Sequence, residues 1–527
     1  MNRIRRMVLG VLLAAAVVVT GALGLAAQEE KVLVVGHAEF TDSLDPARAF
    51  STTAFIVHKA TYETLVTFPT DSTEAIVPLL AESWEANADG TVYTFKLRAD
   101  ATFVSGNPVT AADVVFSFNR LKNIKGNAAF LANTIASVEA PDAQTVVLTL
   151  TQPDPTILAR LVNTTFSVTE ASAIQAQGGT DAADADTTDT AESWLNGTSV
   201  GSGPYVLERW ELQVETVLVR NPNYWGEAPY FDRVIIKNLP EAASQVIELK
   251  AGDIDLALDL TPDQVPSLEG TEGVAVYGAT TSNLHFLTFN TNPEVSGPLA
   301  DPTVQLAIRY ALDYPGYQAI WGGVTPASII PVGFLGGYGT DKAFTRDVEQ
   351  AKALLAEAGY ADGFEAELTY PDWTYAGVNW ATNAQKIQAD LAEVGIQVKL
   401  NPQDVSVAFE SYRGGTQAFG YWFWHPDYID PGNHLVFLPE QTLGLRMNWT
   451  NANSDATIQE LRDRALVETD VATRVEIFQQ IQDYLQQSGP WAPFLQNGVQ
   501  VGYKANVVGS VYHPQWILDV NQLSRAE

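Results

Sequence analysis

The chain has 527 residues, with 62 acids against 30 bases for a formal charge of -32, and no cysteine. That length exceeds a single hydrophobic core, so two to four domains are expected, and 46% hydrophobic with 10% aromatic residues is a folded, globular composition. The charge argues against nucleic acid and anionic membrane surfaces as partners. The missing cysteine rules out disulfides, a thiolate nucleophile, cysteine-bound metal and a lipid anchor on an N-terminal cysteine.

In chain order, Arg3, Arg5 and Arg6 precede an apolar run over residues 7–25 and two small residues, Ala26 and Ala27. This pattern predicts an export signal over residues 1–27, with an uncleaved membrane anchor as the competing reading. Its removal leaves 27 bases against 62 acids, a soluble protein outside the cytoplasm. KVLVV (31–35) predicts a strand buried on both faces, followed by a polar loop over 37–46. A helix is expected over 55–65. Asp89-Gly90 marks a hairpin, and Tyr93, Phe95 and Leu97 alternate as a half-buried strand does. Thr110 is placed to cap a helix whose apolar face holds Val114, Val115, Phe118 and Leu121.

Residues 175–199 are rich in Ala, Asp and Thr and read as a solvent-exposed insertion. Asp181, Asp184, Asp186 and Asp189 lack the glycine and glutamate of a calcium loop. Asp301 and Pro302 open a helix as N-cap and first helical residue, and Gly359 closes another over 347–360. The stretch FGYWFWHPDYIDPGN (419–433) packs six aromatics, a histidine and two acids beside prolines. Two readings stand: a ligand platform, or a core strand running into an Asp-Pro turn. Two helices follow, one marked by Ile458, Leu461, Ala465 and Leu466, the other by Val475, Phe478, Ile481 and Leu485. Residues 491–503 then read as strand returning to the first lobe.

Several of these segments carry a resemblance. PLLAESWEANADGTVYTFKLRADATFVSGNPVTAADVVFSFNRL (78–121) resembles the signature of the family 5 extracellular solute-binding proteins, the oligopeptide and dipeptide receptors of ABC importers. So do GSGPY (201–205), NPNYWGEAPYFDRVIIK (221–237), LKAGDIDLA (249–257), LADPTVQLAIRYALD (299–313), DVEQAKALLAEAGY (347–360) and WHPDYIDP (424–431), in the family's order. Gln305-Leu306 and Tyr314-Pro315 depart from the family pattern.

The resemblance implies an α/β, two-lobed periplasmic-binding-protein fold of type II with an extra small domain and discontinuous lobes. The expected division is 28–69, 199–287 and 495–527 for lobe I, 70–198 for the small domain, and 288–494 for lobe II. It further implies a peptide receptor that delivers its ligand to a membrane permease, with oligosaccharides or a nickel complex as alternative cargoes. A monomer without cofactor, catalytic residues or bound metal is expected, and a secreted hydrolase is a distant alternative.

Carried over by motif, Asp427 would receive a ligand's α-amino group, and Asp430 would form the turn. The same comparison places Phe130, Phe40, Thr41, Asn283 and Phe286 on the ligand cleft. It makes Trp422 and Trp424 pocket walls, although alternate strand positions leave one of the pair open to a core role. Arg309, Arg346, Arg413 and Arg446 are candidates for a ligand carboxylate. The six histidines (37, 58, 285, 425, 434, 513) lack metal-ligand spacing. Only His425, inside the aromatic stretch, is retained as a site candidate.

Overall fold

The computed structural model describes residues 30–375 and 377–526, so the expected export signal lies outside the described residues. The elements that organise the molecule are, in order, β1 (Val32–His37), α1 (Thr52–Thr61), β2 (Ala81–Ala86), β3 (Val92–Leu97), α2 (Ala111–Ile124), β4 (Ile135–Asp142), β5 (Thr145–Leu150), β6 (Tyr205–Glu211), β7 (Glu215–Arg220) and β8 (Arg233–Asn238). They continue with α3 (Ala242–Ala251), β9 (Leu256–Leu260), β10 (Val274–Phe289), α4 (Pro302–Ala311), α5 (Val348–Glu357), β11 (Phe364–Pro371), α6 (Trp380–Ala392), β12 (Ile396–Gln403), β13 (Phe419–Trp424), α7 (Ala456–Ala465), α8 (Val471–Gln487) and β14 (Trp491–Lys504).

Ten strands form one mixed sheet in the order β12-β11-β13-β10-β14-β9-β1-β8-β7-β6. β1 runs parallel to β8 and β9, whereas β10 is antiparallel to both β13 and β14. The run KVLVV becomes β1 because both of its faces are covered. Leu33 and Val35 enter one core with Val234 and Ile236, and Val34 packs on the other side against the cluster of Leu249 and Ile254. β10 and β14 are the longest strands, with 16 and 14 residues, and they join the two halves of the sheet. Their register shifts between Thr280 and Leu284, so the strands are irregular at Asn283.

β2, β3, β5 and β4 form a separate four-stranded sheet, joined at Asp89-Gly90 as the turn signal predicts. α2 packs on it through Val114, Phe118 and Leu121, and Thr110 closes a capping box with Asp113.

The recurring motifs have local causes. In GSGPY, a Cβ on Gly201 would lie 2.2 Å from the Thr61 carbonyl oxygen, and one on Gly203 2.5 Å from the Thr61 carbonyl carbon. Only glycine lets this turn rest on the C-terminal end of α1. In NPNYWG, Tyr224 and Trp225 donate to the buried Glu63 carboxylate at 3.0 and 2.8 Å, and Ser202 donates to it at 2.7 Å. α4 begins on Asp301 as N-cap and α5 closes at Gly359, φ +88°, both as expected, and Asp347 caps the start of α5.

Most of 175–199 is exposed, as expected, but the segment is fastened to the body: Ala185, Ala191 and Leu195 are buried, and the Asp189 side chain is fully enclosed. Asp189 accepts from Arg120 Nε at 2.8 Å, while the same guanidinium makes two 2.6 Å bonds to Asp45. Composition missed this because one ion pair and a few small apolar contacts are enough to fasten a polar segment.

Candidate functional site

The main cavity, about 800 Å³, opens between the two halves of the sheet. That volume is in the range of ordinary small-molecule sites. A second cavity of about 60 Å³ lies beneath it, and Glu39, Thr52, Tyr375 and His425 line both. One wall is built from the loop after β1, the start of α1, the turn before α3 and the end of β9. The other comes from a hairpin, Thr374–Tyr375 paired with Val378–Asn379, and from the end of β13. Its tip reaches the opposite wall: a Cβ on Gly377, at φ +76°, would stand 2.5 Å from Thr261 Cγ2 and 3.7 Å from Ala242 Cβ.

A polar chain forms the floor. Asp259 accepts from His37 Nδ1 at 2.9 Å, from the Ala38 amide at 2.7 Å and from Gln245 Nε2 at 3.2 Å. His37 Nε2 lies 3.2 Å from Thr52 Oγ1, and that hydroxyl donates to Glu39. A threonine hydroxyl has one proton, so with it given to Glu39 the oxygen accepts from His37. Both imidazole nitrogens therefore donate, and His37 is a cation held against Asp259. Burial lowers the His37 pKa, but the charge of Asp259 and its hydrogen bond outweigh that and raise it above 6.5. Burial likewise pushes Asp259 up, and His37 with the other donors brings it below the ordinary carboxylate value.

His425 forms a second chain. Asn283 Nδ2 donates to the Tyr375 hydroxyl at 3.2 Å, which leaves Asn283 Oδ1 to accept from His425 Nδ1 at 2.6 Å. Burial drives the His425 pKa down to about 4, so the ring is neutral and Nε2 keeps its lone pair.

Of the expected site residues, Phe40, Asn283 and His425 line the cavities. Phe130 is 41% exposed and packs edge-on against Phe50, a wall residue, with centroids 6.0 Å apart. Trp424 is half-buried and donates from Nε1 to Asn433 Oδ1 at 3.1 Å.

Three expectations are corrected. Trp422 is 2% exposed, stacks on Tyr412 at 4.3 Å and donates to Gln417, so it belongs to the core. Phe286 is 1% exposed between Phe437 and Trp491. The two residues face each other across the β10–β13 pair, and this shared position puts both on the inward side. Thr41 is buried, its hydroxyl donating to the Ser43 carbonyl at 2.7 Å.

The arginine candidates are also placed elsewhere. Arg309 is buried and donates to the carbonyls of Trp491 and Gly489. Arg346 pairs with Glu393, while Arg413 and Arg446 lie over Phe409 and Tyr412.

Asp427 sits past the end of β13, in a loop whose next residue, Tyr428, enters the core of the four-stranded sheet. Its carbonyl accepts from Asn163 at 2.8 Å, and Asn433 bonds both its amide and its carboxylate. Burial pushes this carboxyl up to about 6, and the bond from Asn433 offsets only part of that. Asp430 is the turn residue, capping the 3-10 helix Pro431–Phe437 and pairing with Arg474. Sequence reasoning missed His37, Asp259, Thr52, Trp373 and Tyr375. The signals were an acid inside the apolar strand LALDL and the aromatic turn PDWTYAG.

Comparisons with known proteins agree with this architecture. The chain is 29% identical over 511 residues to a probable D,D-dipeptide-binding periplasmic protein of Escherichia coli strain K12, covering 95% of each chain. It is 30% identical to heme-binding protein A of Haemophilus influenzae, over 82% of this chain and 81% of that one. A periplasmic binding protein from Helicobacter pylori, DppA, solved with the peptide STSA, superposes with a TM-score of 0.74 at 25% identity, covering 94% of this chain and 99% of the other. Among the described residues no helix is long and apolar enough to cross a membrane. Residues 75–442 match the model of the bacterial extracellular solute-binding proteins, family 5 middle, and the chain belongs to that family.

Proposed function

We propose that this chain is the extracytoplasmic receptor of an ABC importer, binding peptides in the cleft and handing them to a membrane permease without chemical change. The observation that carries the reading is a ligand-sized cavity at the junction of the two sheet halves, in a chain matching dipeptide-binding relatives over nearly its whole length. Asp427, two residues beyond the lining residue His425, is assigned by the family motif to receive the ligand's α-amino group, a charge-assisted bond worth roughly 1.5–3 kcal/mol in a dehydrated site. The lobes divide as the motif order implies, at 28–69, 199–287 and 495–527 against 288–494, with 70–198 as the added domain. The irregular segment of β10 and β14 supports a hinge there, about which closure buries the ligand. The N-terminal segment directs export.

Thermal-shift screening against di- to hexapeptides, cello-oligosaccharides and nickel tests the reading. A ligand at one hundred times its Kd stabilises the folded state by about 2.7 kcal/mol. Stabilisation by sugars or nickel and by no peptide refutes the peptide assignment. Peptides recovered intact after prolonged incubation support a binder over a hydrolase.

A further inference from the structure

The cleft has an unbalanced charge. Its lining contains four carboxylates, from Glu39, Glu241, Asp259 and Asp263, and no lysine or arginine. His37 neutralises Asp259, as described. Glu39 receives only the Thr52 hydroxyl proton, and Glu241 and Asp263 stand exposed at the rim. Among the described residues, none of these three has a basic side chain within ion-pair distance.

Six aromatic rings share this lining: Phe40, Phe50, Phe55, Trp373, Tyr375 and Phe423. Ring faces attract cations and gain nothing from anions. His425 adds a third, independent element. Its Nδ1 proton is committed to Asn283, so the polar group it has left for a ligand is the Nε2 lone pair, an acceptor for N–H. Acceptors, negative charge and π faces all demand the same partner. A ligand carboxylate would meet like charge with only neutral donors, such as Gln264 and Tyr375, to compensate it.

We infer that the cleft selects an organic cation, a ligand whose amine or guanidinium is set on an apolar body and which presents no free carboxylate to Glu39, Glu241 and Asp263. This deepens the receptor reading and rests on it for the site, while departing from the expectation that a peptide's carboxylate finds an arginine.

Calorimetric titration of the purified protein at pH 7.5 with Phe-Lys, its C-terminal amide, Phe-Glu and phenethylamine tests the inference. The amide is expected to bind at least tenfold tighter than the free acid, and Phe-Glu at least tenfold weaker than Phe-Lys. Glu39→Gln, which keeps an acceptor for Thr52, should shrink the gap between amide and acid to about threefold or less. Asp263→Asn, at the exposed rim, should shrink it in the same direction without touching the floor network. A free acid that binds as tightly as its amide overturns the inference. If peptides bind whatever their ending and phenethylamine does not, the inference fails and the peptide reading stands. If phenethylamine binds and no peptide does, the reverse holds.

Discussion

Replacing Asp427 by asparagine separates a ligand-binding carboxylate from a structural one. The carboxyl is raised from its ordinary 3.8 to about 6, chiefly by burial, with Asn433 as its side-chain donor. A raised carboxylate pKa means that the folded protein favours the neutral form. Its stabilising state is fully present below pH 3.8 and is lost as pH rises through 6. Two pK units correspond to about 3 kcal/mol, and partial exposure reduces this to about 1–3 kcal/mol.

Asparagine carries no charge, so the variant should be more stable than the parent by that amount at pH 8 and equal to it near pH 4. Urea unfolding at the two pH values measures both. Ligand binding should move the other way, because an amine requires the ionised acid. About one molecule in eleven is ionised at pH 5, so parent affinity should fall about tenfold between pH 7.5 and 5, and the variant should bind weakly with no such slope. If the variant is less stable at pH 8 and binds peptide as the parent does, Asp427 is only a brace for its own turn.

Three further outcomes follow from the structure. His434 is buried between Phe334 and Phe437, its ring nitrogens have no hydrogen-bond partner among the described residues, and burial holds its pKa at about 3. The unfolded chain therefore takes up a proton below pH 6.5 that the native state refuses. His434→Phe should remove about 2 kcal/mol of the stability lost between pH 6.5 and 5, as read by urea unfolding at both values, and an unchanged pH slope refutes this. Arg120→Met leaves the enclosed carboxylates of Asp45 and Asp189 with Arg48 alone, 3.4 Å from each, and should cost about 3–5 kcal/mol in urea, while a loss under 1 kcal/mol would show the pair to be incidental. Gly377→Ala places a methyl into Thr261 at a left-handed backbone position. It should weaken peptide binding several-fold while leaving the thermal midpoint within about 2 °C, and unchanged or tighter binding would show that the contact of the hairpin with the opposite wall does not matter for the ligand.

How much was legible in the sequence depended on the range of the interaction. The strand of KVLVV, the Asp89-Gly90 hairpin, the caps at Thr110 and Asp301 and the glycine stop at Gly359 are local, set by backbone preferences a few residues long. Ordered motifs along the whole chain identified the family. Asp430 could be assigned to its turn because an acid before proline acts on its own backbone. The tertiary structure alone decided which aromatics line the cavity. Trp422 and Phe423 are adjacent in one strand, yet one stacks on Tyr412 in the core and the other lines the cleft. It also decided that residues 175–199 are fastened by Asp189, and that His37, Thr52 and Asp259 meet across more than two hundred residues. None of the arginines marked for a carboxylate reaches the cleft. Composition counts charges but cannot say which of them share a cavity, because that depends on strands brought together only when the sheet forms.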